Sequence, residues 1–226
     1  MSLRSSSLLL GTLWCASLLP ASAIAQADPK GFYGTLYGQH SRIGASTAAE
    51  SGTQGAGTGL RAEFGGGVGF GGDFGWRYGN GWAAEVEWNY RRHSLDALKK
   101  GAATVARDGD FASNTLLVNG VRRFAKTGAW TPYLGAGIGW VQEIDIDLTP
   151  AAGGAERGYS SGRKVAFQLI AGAEYALTDR WSLAGDARWL RVGSVSLDNE
   201  QGNPGGSMGP LNYKPLSVQL GLRYRF

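Results

Sequence analysis

The sequence predicts an all-β chain that forms an eight-stranded antiparallel up-and-down transmembrane β-barrel. Three observations predict it. Segments spread along the chain alternate apolar and polar residues with period two, as a strand does when it divides an oily environment from a polar one. The polar faces carry mid-strand arginines and carboxylates in place of the mixture that faces bulk water. The connections alternate between tight and long, the layout of a membrane barrel with short turns on one rim and long loops on the other.

The chain opens with Arg4, continues through the apolar run Leu8 to Leu19, and reaches Ala21-Ser22-Ala23-Ile24-Ala25, small residues of the kind a signal peptidase cuts after. The run is shorter than the ~20 residues of a membrane-spanning helix. Residues 1–25 are therefore expected to be a cleaved signal peptide, and 26–226 a single barrel domain. The only cysteine, Cys15, lies in the leader, so neither disulfides nor thiolate chemistry is expected beyond it. The 22 basic and 18 acidic residues are too evenly balanced to imply a nucleic-acid partner. The 37 glycines follow no three-residue period, which excludes collagen.

In order, the first strand, Gly31 to Ile43, sets Phe32, Leu36 and two glycines against Tyr33, Thr35, Tyr37 and Gln39. The second, Gly59 to Arg77, opposes Leu60, Ala62, Phe64, Val68, Phe70, Phe74 and Trp76 to Arg61, Glu63, glycines, Asp73 and Arg77. Gly79-Asn80-Gly81 then makes a hairpin, since both residue types tolerate positive φ. The third strand places Trp82, Val86, Trp88 and Tyr90 opposite Glu85, Glu87, Asn89, Arg91 and His93. The fourth, Ser113 to Phe124, alternates least clearly, with Arg122 read as lying at a membrane edge. The fifth runs from Pro132 through Trp140, the sixth from Phe167 to Tyr175, the seventh from Trp181 to Trp189 and the eighth from Leu216 to Phe226. Segments 44–58, 96–112, 144–162 and 192–213, rich in Gly, Ser, Ala, Asn and Asp, are expected to be long mobile loops.

Alternation alone does not say which face points inward. A soluble lipocalin-like barrel would bury the Trp and Leu rows around a ligand. The polar faces decide against it, because arginines paired with carboxylates suit an enclosed ion-pair network. The residues expected there are Arg61, Glu63, Asp73, Glu85, Glu87, Arg91, Glu174, Asp186, Arg188, Arg223 and Arg225. Aromatics bracket the apolar faces, as Trp82 and Tyr90 do; eight residues at ~3.3 Å rise and ~40° tilt cover ~20 Å, close to the lipid band between aromatic girdles. The oily side is expected to face lipid.

Here the chain resembles the small eight-stranded outer-membrane barrels of Gram-negative bacteria, the OmpA-like, opacity-protein and porin-like surface-antigen group. The segments that carry the resemblance are "GFYGTLYG", "WTPYLGAGIGW", "FQLIAGAEYALTDRWSL" and "LGLRYRF". It implies residence in the outer membrane among its lipids and lipopolysaccharide. It also implies delivery by the outer-membrane assembly machinery, with Tyr224 and Phe226 of the last strand as the signal read. The function it implies is structural, adhesive or antigenic, through loops that meet a host or cell-surface ligand, with no cofactor.

The remaining motifs favour bland readings. "GGGVGFGG" from Gly65 to Gly72 has no helix after it, so its glycines make room for interior side chains and do not cradle a phosphate. Glu143, Asp145 and Asp147 read as a solvated acidic rim, and no metal site is assigned. Some related barrels modify lipid A with a histidine and a serine. His40-Ser41 and His93-Ser94 are adjacent and point to opposite faces, so neither forms a nucleophile and base, and only a pairing across strands would revive an enzyme. A narrow ion-conducting path is the other alternative, though an eight-stranded bore is filled by side chains.

Overall fold

The computed structural model describes residues 29–201 and 204–226, so the leader expected over 1–25 lies outside the described residues. The strands are β1 (Gly31–Arg42), β2 (Ser46–Glu50), β3 (Gly57–Arg77), β4 (Trp82–Lys100), β5 (Ala103–Arg123), β6 (Trp130–Pro150), β7 (Arg157–Ala176), β8 (Trp181–Val192), β9 (Ser194–Gln201), β10 (Ser207–Asn212) and β11 (Leu216–Arg225). They form one antiparallel sheet in the order β1-β11-β8-β7-β6-β5-β4-β3-β2-β10-β9. β1 pairs with β11 on one side and β3 on the other, and this closes the sheet near the tight turns. Further along, β2, β10 and β9 bridge from β3 to β7.

The sheet has eleven strands, and the eight-stranded barrel expected from the alternation and from the resemblance is corrected accordingly. The difference arises where loops were expected. β2, β9 and β10 occupy parts of 44–58 and 192–213, and β4 to β7 run on through most of 96–112 and 144–162. Small polar residues weaken strand propensity there, but Ala48, Val195, Leu197, Met208 and Leu211 turn inward and are buried, and packing overrides propensity. The longest strands have 21 residues. At ~3.3 Å rise and ~40° tilt such a strand reaches ~50 Å, about twice the lipid band. One half therefore lies in the band and the other projects beyond the rim opposite the tight turns.

The two halves are filled differently. Near the tight turns the interior is polar, whereas the projecting half is packed with Leu60, Leu95, Leu98, Ile144, Ile146, Leu148 and their neighbours. On the outside of the lower half, Leu36, Val68 and Leu220 are 77%, 66% and 65% exposed, while Glu87 and Arg91 inside are 0% exposed. Only a hydrocarbon solvent makes that arrangement favourable. The tight turns need positive φ at Gly79 and Gly81 (82° and 80°), and Tyr78 N–H donates to the Trp82 carbonyl at 3.0 Å. Beside that turn the Arg122 guanidinium lies 5.5 Å from the Trp82 ring centroid.

Inward glycines on β3 make the room that tyrosines of β1 fill. A Cβ at Gly71 would stand 2.6 Å from the Tyr37 hydroxyl and 2.5 Å from the Trp88 carbonyl oxygen. Gly71→Val is therefore expected to destabilise the barrel by about 1–3 kcal/mol through overpacking. The check is a urea titration of the folded band on unboiled gels, where an unchanged midpoint would refute the packing described.

Candidate functional site: a closed polar interior and a charged outer wall

The lower interior is a stack of ion-pair layers. Closest to the tight turns, Glu174 accepts hydrogen bonds from Arg77 Nη2 (3.0 and 3.1 Å), Arg123 Nη1 (2.7 Å), Arg223 Nη1 (3.1 Å) and Ser182 Oγ (2.9 Å). Arg223 reaches on to Glu85 at 3.3 Å and Asp73 at 3.7 Å, and its Nε donates to Thr35 Oγ1 at 2.7 Å. Tyr33 donates to Glu85 at 2.6 Å. In the next layer Arg188 holds Asp186 through Nε (2.8 Å) and Nη2 (3.2 Å) and also pairs with Glu87. Glu87 accepts further from Asn119 (2.7 Å), Gln168 (2.8 Å) and Tyr37 (3.1 Å). Such forked, buried pairs are shape-specific.

Above these layers Arg91 is wholly buried, yet its Nη1 has only a 3.4 Å bond to Thr115, and Nε and Nη2 have no hydrogen-bond partner. His93 Nε2 meets Ser41 Oγ at 2.8 Å across strands. The cross-strand pairing that an enzyme would need thus exists, but both residues are 1% exposed and face the bore, out of reach of lipid outside. Ser113 and Tyr213 hydroxyls meet at 2.6 Å and lead into the apolar plug. Beyond the plug a second buried pair joins Arg157 Nε to Glu50 at 2.6 Å.

Of the eleven charged residues read as interior, Asp73, Glu85, Glu87, Arg91, Glu174, Asp186, Arg188 and Arg223 are buried in this stack. Arg61 and Glu63 are not: their side chains are 65% and 33% exposed, and Glu63 pairs with Lys99 at 2.6 Å on the surface. Bulges between Glu63 and Gly67 shift the register, so that Ala62 points inward and Arg61 outward. Arg225 sits at the tight-turn rim and donates to the Asp179 carbonyl. Tyr224 packs on Trp181 and Phe226 at centroid distances of 4.7 and 5.1 Å. Sequence reasoning missed Arg77 and Arg123 as partners of Glu174. The phase of Asp73 points to Arg77, but Arg123 shares its face with Leu117 and Val121, which hides it. The Glu50–Arg157 pair fell in segments read as loops.

On the outer wall of the projecting half, Glu143, Asp145 and Asp147 point outward from β6 above Trp140 because a register shift opposite Asn114 turns Ile144 and Ile146 inward. Partial burial, and then Glu143, Glu200 and Asp147 nearby, push Asp145 up to about 6 from its ordinary 3.8. A folded-state pKa above the unfolded one gives stability that is complete below about 3.8 and is lost as pH rises through about 6. Amide exchange in the outer parts of β6 and β7, corrected for its intrinsic rate, should therefore slow when pH falls from ~7.5 to ~5. Asp145→Asn should flatten that dependence, and faster corrected exchange in acid would contradict it. Among the described residues no three His, Cys, Asp or Glu side chains converge to hold a metal ion.

The fold is shared with solved structures of outer-membrane proteins. The outer membrane protein OprG from Pseudomonas aeruginosa is 16% identical with a TM-score of 0.55, over 89% of this chain and 99% of that one. A major outer membrane protein from Thermus thermophilus is 14% identical with a TM-score of 0.52, over 85% and 99%. Neisserial surface protein A (NspA) is 18% identical with a TM-score of 0.51, over 87% and 97%. At such identities the likeness is one of fold alone. No curated protein matches the chain. With an apolar band outside, ion pairs inside and residues 11–226 matching the outer membrane protein beta-barrel domain, the chain belongs to that outer-membrane β-barrel family.

Proposed function

We propose that this outer-membrane barrel is a surface component whose work, adhesive or antigenic, is done by the outer wall and tips of its projecting half. The observation that carries this reading is the filled interior. Glu87, Asn89 and Arg91 in the polar stack and Leu98, Ile146 and Leu148 above them are each 0% exposed, so a solute path would need both layers to open. What remains available to a partner is the exterior. There the strands form a stiff collar and do not end in loose loops, and its acidic face includes Asp96, Asp108, Asp110, Asp147 and Glu156. A collar held by an apolar core presents its surface without the ordering cost of a flexible loop.

The test uses cells that express the full chain. A single cysteine at Ala152 should react with a membrane-impermeant maleimide on intact cells, and one at Asn80 only after lysis. Shortening the tip between β6 and β7 by removing 152–155 should abolish cell attachment or surface antibody binding while unboiled gels still show the folded band. Attachment and antibody binding that survive the deletion would refute the surface role at this tip.

A further inference from the structure

The apolar plug fills the projecting half of the bore, but its tight-turn end has room. A polar cavity of ≈ 290 Å³ lies there, just outside the Glu174 ion-pair layer. It forms because the last inward positions of β6, β7 and β8 carry the short side chains Thr131, Ala176 and Ser182, which do not reach across the bore. Glu174, Arg77 and Arg123 make its inner end and are 7%, 3% and 5% exposed. Around its mouth stand Lys126 from the turn between β5 and β6, Arg180 from the turn between β7 and β8, and Arg225 at the end of β11.

Those five basic side chains face two carboxylates in the lining, Glu174 and Asp179, among the described residues. Glu174 is already shared by Arg77, Arg123 and Arg223. The two guanidiniums at the mouth are held by neutral oxygens: Arg225 Nη2 donates to the Asp179 carbonyl, and Arg180 Nη1 to the Tyr224 hydroxyl at 3.2 Å. Bonds of that kind fix a guanidinium in place without cancelling its charge. Thr178 Oγ1 accepts from the backbone N–H groups of Arg180 and Trp181 at 3.2 and 3.0 Å, which leaves its own proton to donate. Donors and positive charge thus converge on one concave space, whose low-dielectric walls concentrate the field.

We infer that this cavity is a binding site for a small soluble oxyanion with two linked phosphoryl groups, of pyrophosphate chemistry. One phosphoryl group lies toward Arg77 and Arg123, and the other is held at the mouth by Arg180, Arg225 and Lys126. A guanidinium fork grips two phosphate oxygens at once and lysine adds a point charge, so cations at both ends of one cavity favour an anion charged at both ends. The basic side chains of the projecting wall offer no such site, since Arg92 is paired with Asp110 and Lys99 with Glu63. In the proposed orientation the mouth opens on the periplasm, but binding in itself does not depend on that orientation.

The full chain, folded in a neutral detergent at about 0.15 M NaCl to screen exposed surface charge, is titrated with inorganic pyrophosphate and with inorganic phosphate in a calorimeter. Wild type should bind one pyrophosphate per chain, at least about tenfold more tightly than phosphate. The double variant Lys126→Gln, Arg180→Gln should weaken pyrophosphate binding by about tenfold or more, and Lys99→Gln on the projecting wall should leave it unchanged. Ala176→Leu keeps every charge and fills the cavity, so it should abolish binding while unboiled gels still show the folded band. If that variant does not fold, the double variant decides alone. No binding by wild type, several pyrophosphates per chain, equal affinity for phosphate, an unaffected double variant, or full binding by folded Ala176→Leu would each overturn the site. Maleimide labelling at Asn80 on intact cells would change only the compartment that the mouth faces, whereas labelling at Ala152 without pyrophosphate binding would remove the site and leave the surface role standing.

Discussion

Arg188→Met is expected to cost about 3–5 kcal/mol of folding free energy, because it leaves two buried carboxylates without the cation that pairs them. Arg188 is 2% exposed, Glu87 0% and Asp186 8%, and the one guanidinium bonds both. The neighbouring Arg91→Met should cost no more than about 1 kcal/mol, since two of its nitrogens have no hydrogen-bond partner to lose. Both substitutions remove one buried arginine of one interior, so their difference reports pairing and not volume. Urea-dependent folding into lipid vesicles, followed by tryptophan fluorescence, measures it. Equal costs for the two would mean that the stack is not held by its specific pairs.

Leu220→Arg is expected to cost about 2–4 kcal/mol, the penalty for a charge near the middle of the lipid face of a membrane barrel. Leu220 is 65% exposed in the protein alone, so a soluble protein would tolerate the change almost freely. As a control, Thr149→Arg on the projecting wall should stay within about 0.5 kcal/mol, as surface changes do in water. The comparison is made in vesicles by the same urea titration. A tolerated Leu220→Arg would place that face in water and undo the membrane reading.

The legibility of the interior varied from strand to strand. On β4, Glu85, Glu87 and Arg91 keep a strict period, and the phase read from the sequence is the phase of the fold. On β3 the bulges near Glu63 reverse the phase, so Arg61 and Glu63 alternate faultlessly in the sequence and still end outside. On β5, Arg123 shares a face with Leu117 and Val121, and its role appears only when Glu174 comes to it from β7. A bulge is set by how two strands meet, and one strand's own residues do not reveal it.

The projecting half was hidden for a related reason. Gly, Ser, Asn and Pro in 192–213 look like loop, and Val195, Leu197, Met208 and Leu211 are too widely spaced to announce a core. They make one only when β9 and β10 close against β2 and β7 and bring their apolar sides together. By itself the amino-acid order determined the period-two faces, the short-turn rim and the oily exterior, because these depend on residues that are neighbours along one strand. The strand count, the bulged register and the apolar plug were decided by tertiary structure. Each depends on which distant strands lie side by side, and that is a property of the closed sheet.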